Sequence, residues 1–164
     1  MKKNKRQNIV LVGIAVFIIG GIIVYNYHID QVKIKGLSFG SELQQIQDDV
    51  KKFQTNFESK ITQWKEGDLN NEEILEYFQT HISQMKILIP RYDKLIPPEP
   101  FISSVKLFKL STETQLESDK EYSKWIETGE TAYKIRSDSL IQESFEYELA
   151  ALAEYQGAQL GNNP

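Results

Sequence analysis

Seven polar or charged residues interrupt helical stripes that are otherwise apolar: Lys60, Thr112, Gln115, Asp119, Ser137, Ser144 and Glu148. Their types suit two kinds of chemistry. A lysine, two carboxylates, an amide and hydroxyls can satisfy one another inside a bundle and so fix helix register, because an unpaired buried charge is costly and only a complementary arrangement relieves it. The same groups, converging on a cavity, can instead bind a small polar ligand between helices. A third arrangement leaves them partly solvated at the bundle edge. Counting outward from the turns places Lys60, Asp119 and Ser137 in one layer and predicts a Lys60–Asp119 contact, direct or through water. Gln115 and Glu148 complete the candidate ligand-binding or structural layer.

Other chemistry finds few residues to use. The chain has two histidines and no cysteine, which excludes disulfides, thiolate metal sites and thiol nucleophiles. His81 sits on the flank of an apolar stripe and reads as a packing residue. A di-iron bundle site needs a Glu-x-x-His pair on each of two helices, and neither pair occurs. No glycine-rich phosphate loop, calcium-loop spacing or Ser-His-acid order can be assembled. The acidic pairs Glu72–Glu73, Asp48–Asp49 and Glu146 with Glu148 read as solvated faces. The expectation is a protein without catalytic activity, bound metal or cofactor.

The elements that position these residues begin with an anchor. Ile9 to Tyr27 carry no charge and follow Lys2, Lys3, Lys5 and Arg6. A helix of that length spans roughly 28 Å at about 1.5 Å per residue, close to bilayer thickness, and the cations favour a cytoplasmic N-terminus. The run leaves through Tyr25, Asn26, Tyr27 and His28 rather than a small-x-small cleavage site, so an uncleaved anchor is expected in preference to a signal peptide. Tyr25, Tyr27 and His28 are placed at the headgroup level of the membrane interface. Gly13 and Gly20 lie on one face of that helix, where another membrane helix can approach.

Residues 30–40 read as a linker with one extended stretch. A helix then starts at Ser41, with Gln44 in capping-box position, and carries Leu43, Ile46, Val50, Phe53, Phe57, Ile61 and Trp64 at helical spacing up to Gly67. The second helix starts at the Asn70 cap with Glu73, is stapled by Leu69 onto Ile74, and has the seam Ile74, Phe78, Ile82, Met85, Ile89, Tyr92 and Ile96, kinked by Pro90. The third runs from about Pro98 to Glu127 along Phe101, Val105, Phe108, Tyr122 and Ile126. After the Thr128–Gly129–Glu130 turn, the fourth runs from Thr131 to Gln156 along Ile141, Phe145, Leu149, Leu152 and Tyr155. Tyr77, Tyr122, Tyr133 and Tyr147 read as the rim of this core.

The expected fold is all-α: one N-terminal transmembrane helix followed by an antiparallel up-down four-helix bundle with coiled-coil-like packing. Its parts are a basic cytoplasmic N-terminus (1–8), the anchor (9–29), the linker (30–40), the extracytoplasmic bundle (41–157) and a flexible tail (158–164). Beyond residue 29, fifteen basic residues face twenty-three acids, a net charge of −8, which disfavours nucleic acid or anionic lipid as partner. An anchored helical exterior without a catalytic constellation is expected to be an interaction module in the cell membrane, an accessory subunit held by the bilayer and by protein partners. The alternative is a sensor-type bundle that binds a small ligand. With only about eight residues before the apolar run, such a sensor would have to signal through a partner.

Overall fold

In a computed structural model, residues 34–161 are described, with side chains from Ser38 onward. They form four α-helices: α1 (Ile34–Glu66), α2 (Asn71–Leu88), α3 (Ile102–Thr128) and α4 (Thr131–Gly161). Two short 3-10 segments, Ile89–Lys94 and Glu99–Phe101, join α2 to α3. There is no strand among the described residues, and the fold is a helical bundle. None of the described helices is long and apolar enough to cross a membrane. The expected anchor, with Tyr25, Tyr27 and His28, lies outside the described residues.

The first helix starts earlier than its capping signal suggests. Residues 34–40 continue α1 instead of forming a linker, and Ser41 is internal. Phe39 gives the reason. It is buried beside Leu43 and Ile46, and its ring meets Phe101 at 5.6 Å. Burying such a ring is worth about 1.5–3 kcal/mol, which offsets the roughly 1 kcal/mol that a glycine such as Gly40 costs in a helix. The other end closes as expected from Gly67, at φ +88°. Its N–H donates to the Trp64 carbonyl at 3.1 Å and that of Asp68 to Gln63 at 2.9 Å, the paired bonds of a Schellman turn.

Asn70 caps α2 as predicted. Its side chain accepts from the Glu72 and Glu73 amides, and Glu73 accepts from the Asn70 amide at 2.8 Å. The buried face then departs from the expected seam: Ile74, Phe78, His81, Met85 and Leu88 are inside, with His81 where Ile82 was expected. Pro90 does more than kink the helix. The α-helix ends at Leu88 and the chain tightens to three residues per turn, which changes the phase of everything after it. Tyr92 turns inward, whereas Ile96 is 86% exposed.

Gly129, at φ +74°, ends α3, its N–H donating to the Trp125 carbonyl at 2.8 Å. The fourth helix runs past the expected Gln156, through Gly157, to Gly161. Its inner line also differs from the predicted one: Ser137, Leu140, Ser144 and Ala151 are buried, whereas Leu149 is 52% exposed and Ile141, Phe145, Leu152 and Tyr155 are only half-buried. Small residues let α3 approach closely, and that close line takes the interior. The larger apolar residues are left on the flank.

Two apolar clusters hold opposite ends of the bundle. One gathers Phe39, Leu43, Ile46, Leu88, Tyr92, Leu95, Val105, Phe108 and Ala151; the other gathers Phe57, Ile61, Ile74, Phe78 and Ile126. Each takes residues from the start of one helix and the end of the next. Outside the clusters the interior mixes apolar Met85, Leu116 and Leu140 with the buried polar residues His81, Thr112, Gln115, Ser118, Asp119 and Ser137.

Candidate functional site

The polar centre is organised by an aspartate and a histidine. Asp119, 3% exposed on α3, places Oδ2 at 2.9 Å from Nε2 of His81, 1% exposed on α2. The imidazole stacks on Phe57 of α1, centroids 4.3 Å apart and planes 18° from parallel. Its other nitrogen, Nδ1, is buried with no hydrogen-bond partner among the described residues. Burial raises the Asp119 carboxyl above its ordinary value, and the hydrogen bond and charge of His81 pull it partly back. One proton lies between Nε2 and Oδ2 in either protonation form. Both side chains are closed off from solvent, and their contact ties α2 to α3.

The predicted Lys60–Asp119 contact is not made. The ammonium of Lys60 donates to Gln63 Oε1 at 3.1 Å on its own helix, and the side chain is only half-buried. A lysine gives up hydration reluctantly and its long stem lets the charge stay at the edge, whereas an imidazole can satisfy a buried carboxyl without bringing in a full cation. On α1 the carboxyl that senses the charge of Asp119 is Glu58. Burial raises its carboxyl, a hydrogen bond from Gln54 lowers it, and the charge of Asp119 raises it again.

A second polar set crosses the bundle toward the Phe39 end. Gln47 Nε2 donates to Tyr92 Oη at 2.8 Å, Tyr92 Oη lies 3.0 Å from Thr112 Oγ1, and Thr112 Oγ1 donates to the Phe108 carbonyl at 3.0 Å. Because the threonine proton is committed to the carbonyl, the tyrosine donates to the threonine and the chain has one direction. Burial pushes the Tyr92 phenol well above its usual range. The negative charge of Glu148 on α4 pushes in the same direction, and Glu148 is itself raised by burial to about 7. Gln115 is buried on the same side of α3, between Thr112 and Asp119 in sequence.

Ser137 belongs to neither set. It pairs with Ser118, whose hydroxyl donates to the Ser137 carbonyl at 2.9 Å while the two hydroxyl oxygens lie 3.1 Å apart. Ser111 donates in the same way to the Ser144 carbonyl at 2.9 Å. Along α3, Ser104, Ser111 and Ser118 recur every seven residues, and along α4 so do Ser137, Ser144 and Ala151. This matched spacing was readable in the sequence but is visible only when small residues are counted as a stripe of their own.

The predicted residues therefore divide. Asp119 joins His81, Glu148 lies near the Tyr92 set, Ser137 joins the α3–α4 seam, and Lys60 stays at the edge. Separately, a groove of about 490 Å³ runs over α3 between the end of α2 and α4, lined by Lys86, Pro90, Leu116, Arg136, Leu140 and Glu143 among others. None of the predicted layer lines it. Its carboxylates are engaged, Glu113 with Lys109, Glu117 with Lys120 and Glu143 with Tyr147. Among the described residues, no three His, Asp or Glu side chains converge as a metal ion would require. Comparison with protein-family models, curated proteins and solved structures returns no match.

Proposed function

We propose that this chain is a single-pass membrane protein whose bundle, a set of alternating up-and-down helices, lies outside the membrane and docks onto a protein partner as a non-catalytic accessory subunit. The reading places the N-terminus in the cytoplasm, on the strength of the basic cluster before the apolar run of residues 9–27. The observation that carries the docking role is the set of large apolar residues left exposed on α4. While its small residues face α3, Ile135, Leu149 and Leu160 are 65%, 52% and 70% exposed. Apolar residues left uncovered along one helix are what an interaction surface needs. Extraction from native membranes in mild detergent, native-gel separation and mass spectrometry of each slice test this. Migration with a larger set of proteins is the expected result; migration as a monomer or small homo-oligomer overturns it.

A second reading, a small-ligand-binding bundle that signals through a partner, is favoured by the groove beside Leu116 and Leu140, whose volume falls within the range of ligand sites. A ligand at a hundred times its dissociation constant adds about 2.7 kcal/mol of stability. A metabolite panel scored by thermal shift of the full chain separates this reading from the first.

A further inference from the structure

The two ends of the bundle differ in charge. At the end that holds Phe57, Ile74 and Ile126, the two turns and their flanks, residues 65–73 and 127–131, carry six acids and one base. At the other end the connector from α2 to α3, residues 89–101, balances Arg91 and Lys94 against Asp93 and Glu99, and Arg91 and Asp93 are taken up by Asp49 and Lys109. Apolar side chains stay open here: Ile96 is 86% exposed and Ile102 40%, with Pro98 and Pro100 exposed between them. Prolines at 97, 98 and 100 leave the stretch few backbone N–H groups. A segment short of those donors loses its water at lower cost, because each N–H taken from water needs a new acceptor.

This connector lies at the end of the bundle where α1 begins. Phe39, near the start of α1, meets Phe101 with ring centroids 5.6 Å apart, Phe101 meets Tyr155 of α4 at 5.0 Å, and Leu95 packs in the same cluster. The apolar run of residues 9–27 stops seven residues before Ile34, the first residue of α1, and seven residues span at most about 25 Å even when fully extended. The acidic turn after α1 is a whole helix further on, about 50 Å along its 33 residues. Of the two ends, the connector's is the one that a chain held by residues 9–27 keeps near the bilayer.

We propose that the segment Ile96–Ile102 rests on the bilayer surface, with Ile96 and the prolines in the headgroup region, so that the bundle sits on this end and turns its acidic end to water. The contact is with zwitterionic lipid, since the connector has no net charge to offer an anionic one. So small an apolar contact is weak by itself. The short tether makes it intramolecular, at an effective concentration on the order of millimolar, and a weak contact then suffices. The proposal rests on the anchor reading above and goes beyond it by fixing which end of the bundle meets lipid.

The chain has no cysteine, so a single introduced one carries a fluorophore to a chosen place. The full chain is reconstituted in phosphatidylcholine vesicles that contain a nitroxide-labelled lipid, with the probe on Glu99→Cys in the connector or on Glu130→Cys at the acidic end. Quenching by the lipid is expected to be about threefold stronger at 99 than at 130, and Ile96→Asp in the Glu99→Cys chain should bring it down to the level at 130. Because Ile96 is so exposed, that substitution should leave helicity unchanged. Alkaline carbonate washing separates the two ideas. A chain stripped from the vesicles overturns the anchor and this proposal with it, whereas a retained chain whose probe at 99 is quenched no more than at 130 overturns the surface contact alone. Quenching at 99 that Ile96→Asp leaves unchanged would overturn the proposal too, as would a probe at 99 that is shielded from soluble iodide but not quenched by the lipid, the mark of a protein covering the connector.

Discussion

The helices α3 and α4 meet through their smallest side chains, whereas α1 is held by rings. Along the first seam Ser111, Ser118, Ser137 and Ser144 bring backbone near backbone, and Ser111 and Ser118 each donate to a carbonyl of α4. Along the second, Phe57 and Trp64 reach across to Phe78, His81 and Trp125. The two seams differ in what they tolerate. A close seam has no room for added volume, and a ring-filled seam cannot lose volume without leaving a cavity. The difference also locates the polar centre, since residues as large as His81, Tyr92 and Glu148 require helices set further apart than serine allows.

The largest expected effect is on the ring-filled side. Phe78, fully buried between Phe57 and Tyr122, should cost roughly 3–5 kcal/mol when truncated to alanine, read by urea unfolding. Phe53 is only half-buried, so its truncation should cost less. A loss under about 1 kcal/mol at Phe78 would remove the contrast between the seams.

Added volume probes the other side. Ser111→Leu should destabilise by about 1–3 kcal/mol through overpacking, whereas Ser111→Ala should cost only about 1 kcal/mol for the lost hydrogen bond. If leucine were as well accepted as alanine, the close approach of α3 and α4 would not hold in solution.

Stability against pH sharpens the comparison between seams and centre. A carboxyl raised from 4.5 to about 7, as Glu148 is, favours the folded state below its unfolded value, and that contribution disappears as pH climbs through the folded one. Unfolding free energy should therefore fall between about pH 5 and about pH 8, by on the order of 1–3 kcal/mol. Glu148→Gln should flatten part of that slope; an unchanged slope would assign the pH dependence to other groups.

The smallest effect is expected at Lys60. With its ammonium on Gln63 at the bundle edge, Lys60→Met should change stability by no more than about 0.5 kcal/mol. A loss of several kcal/mol would restore the contact with Asp119 that the sequence suggested.

Much of the local structure was legible because it depends on neighbours in the chain. The Asn70–Glu73 box, the Gly67 and Gly129 stops and the helical steps through Phe57, Phe78 and Phe108 are short-range signals, and each appears where its residues stand. What failed depended on facts that no window of sequence contains. Ser41 looked like a helix start because Phe39's partner, Phe101, lies far along the chain. Leu149 looked interior because the wheel shows where large apolar residues gather, not which line a neighbouring helix will take. His81 was read as a packing residue, and its ring does pack on Phe57; its bond to Asp119 needed the spacing between two helices.

The sequence by itself determined that the described chain is helical, where its turns fall and that polar residues enter its stripes, since periodicity, capping and glycine conformation act within a few residues. Only the tertiary structure decided which polar group answers which. The partner of a buried carboxyl is the donor that can reach it at the lowest cost in lost hydration. That is set by how closely the helices pack: serine brings α3 to α4, and the wider gap beside α1 leaves room for His81, rather than Lys60, to meet Asp119.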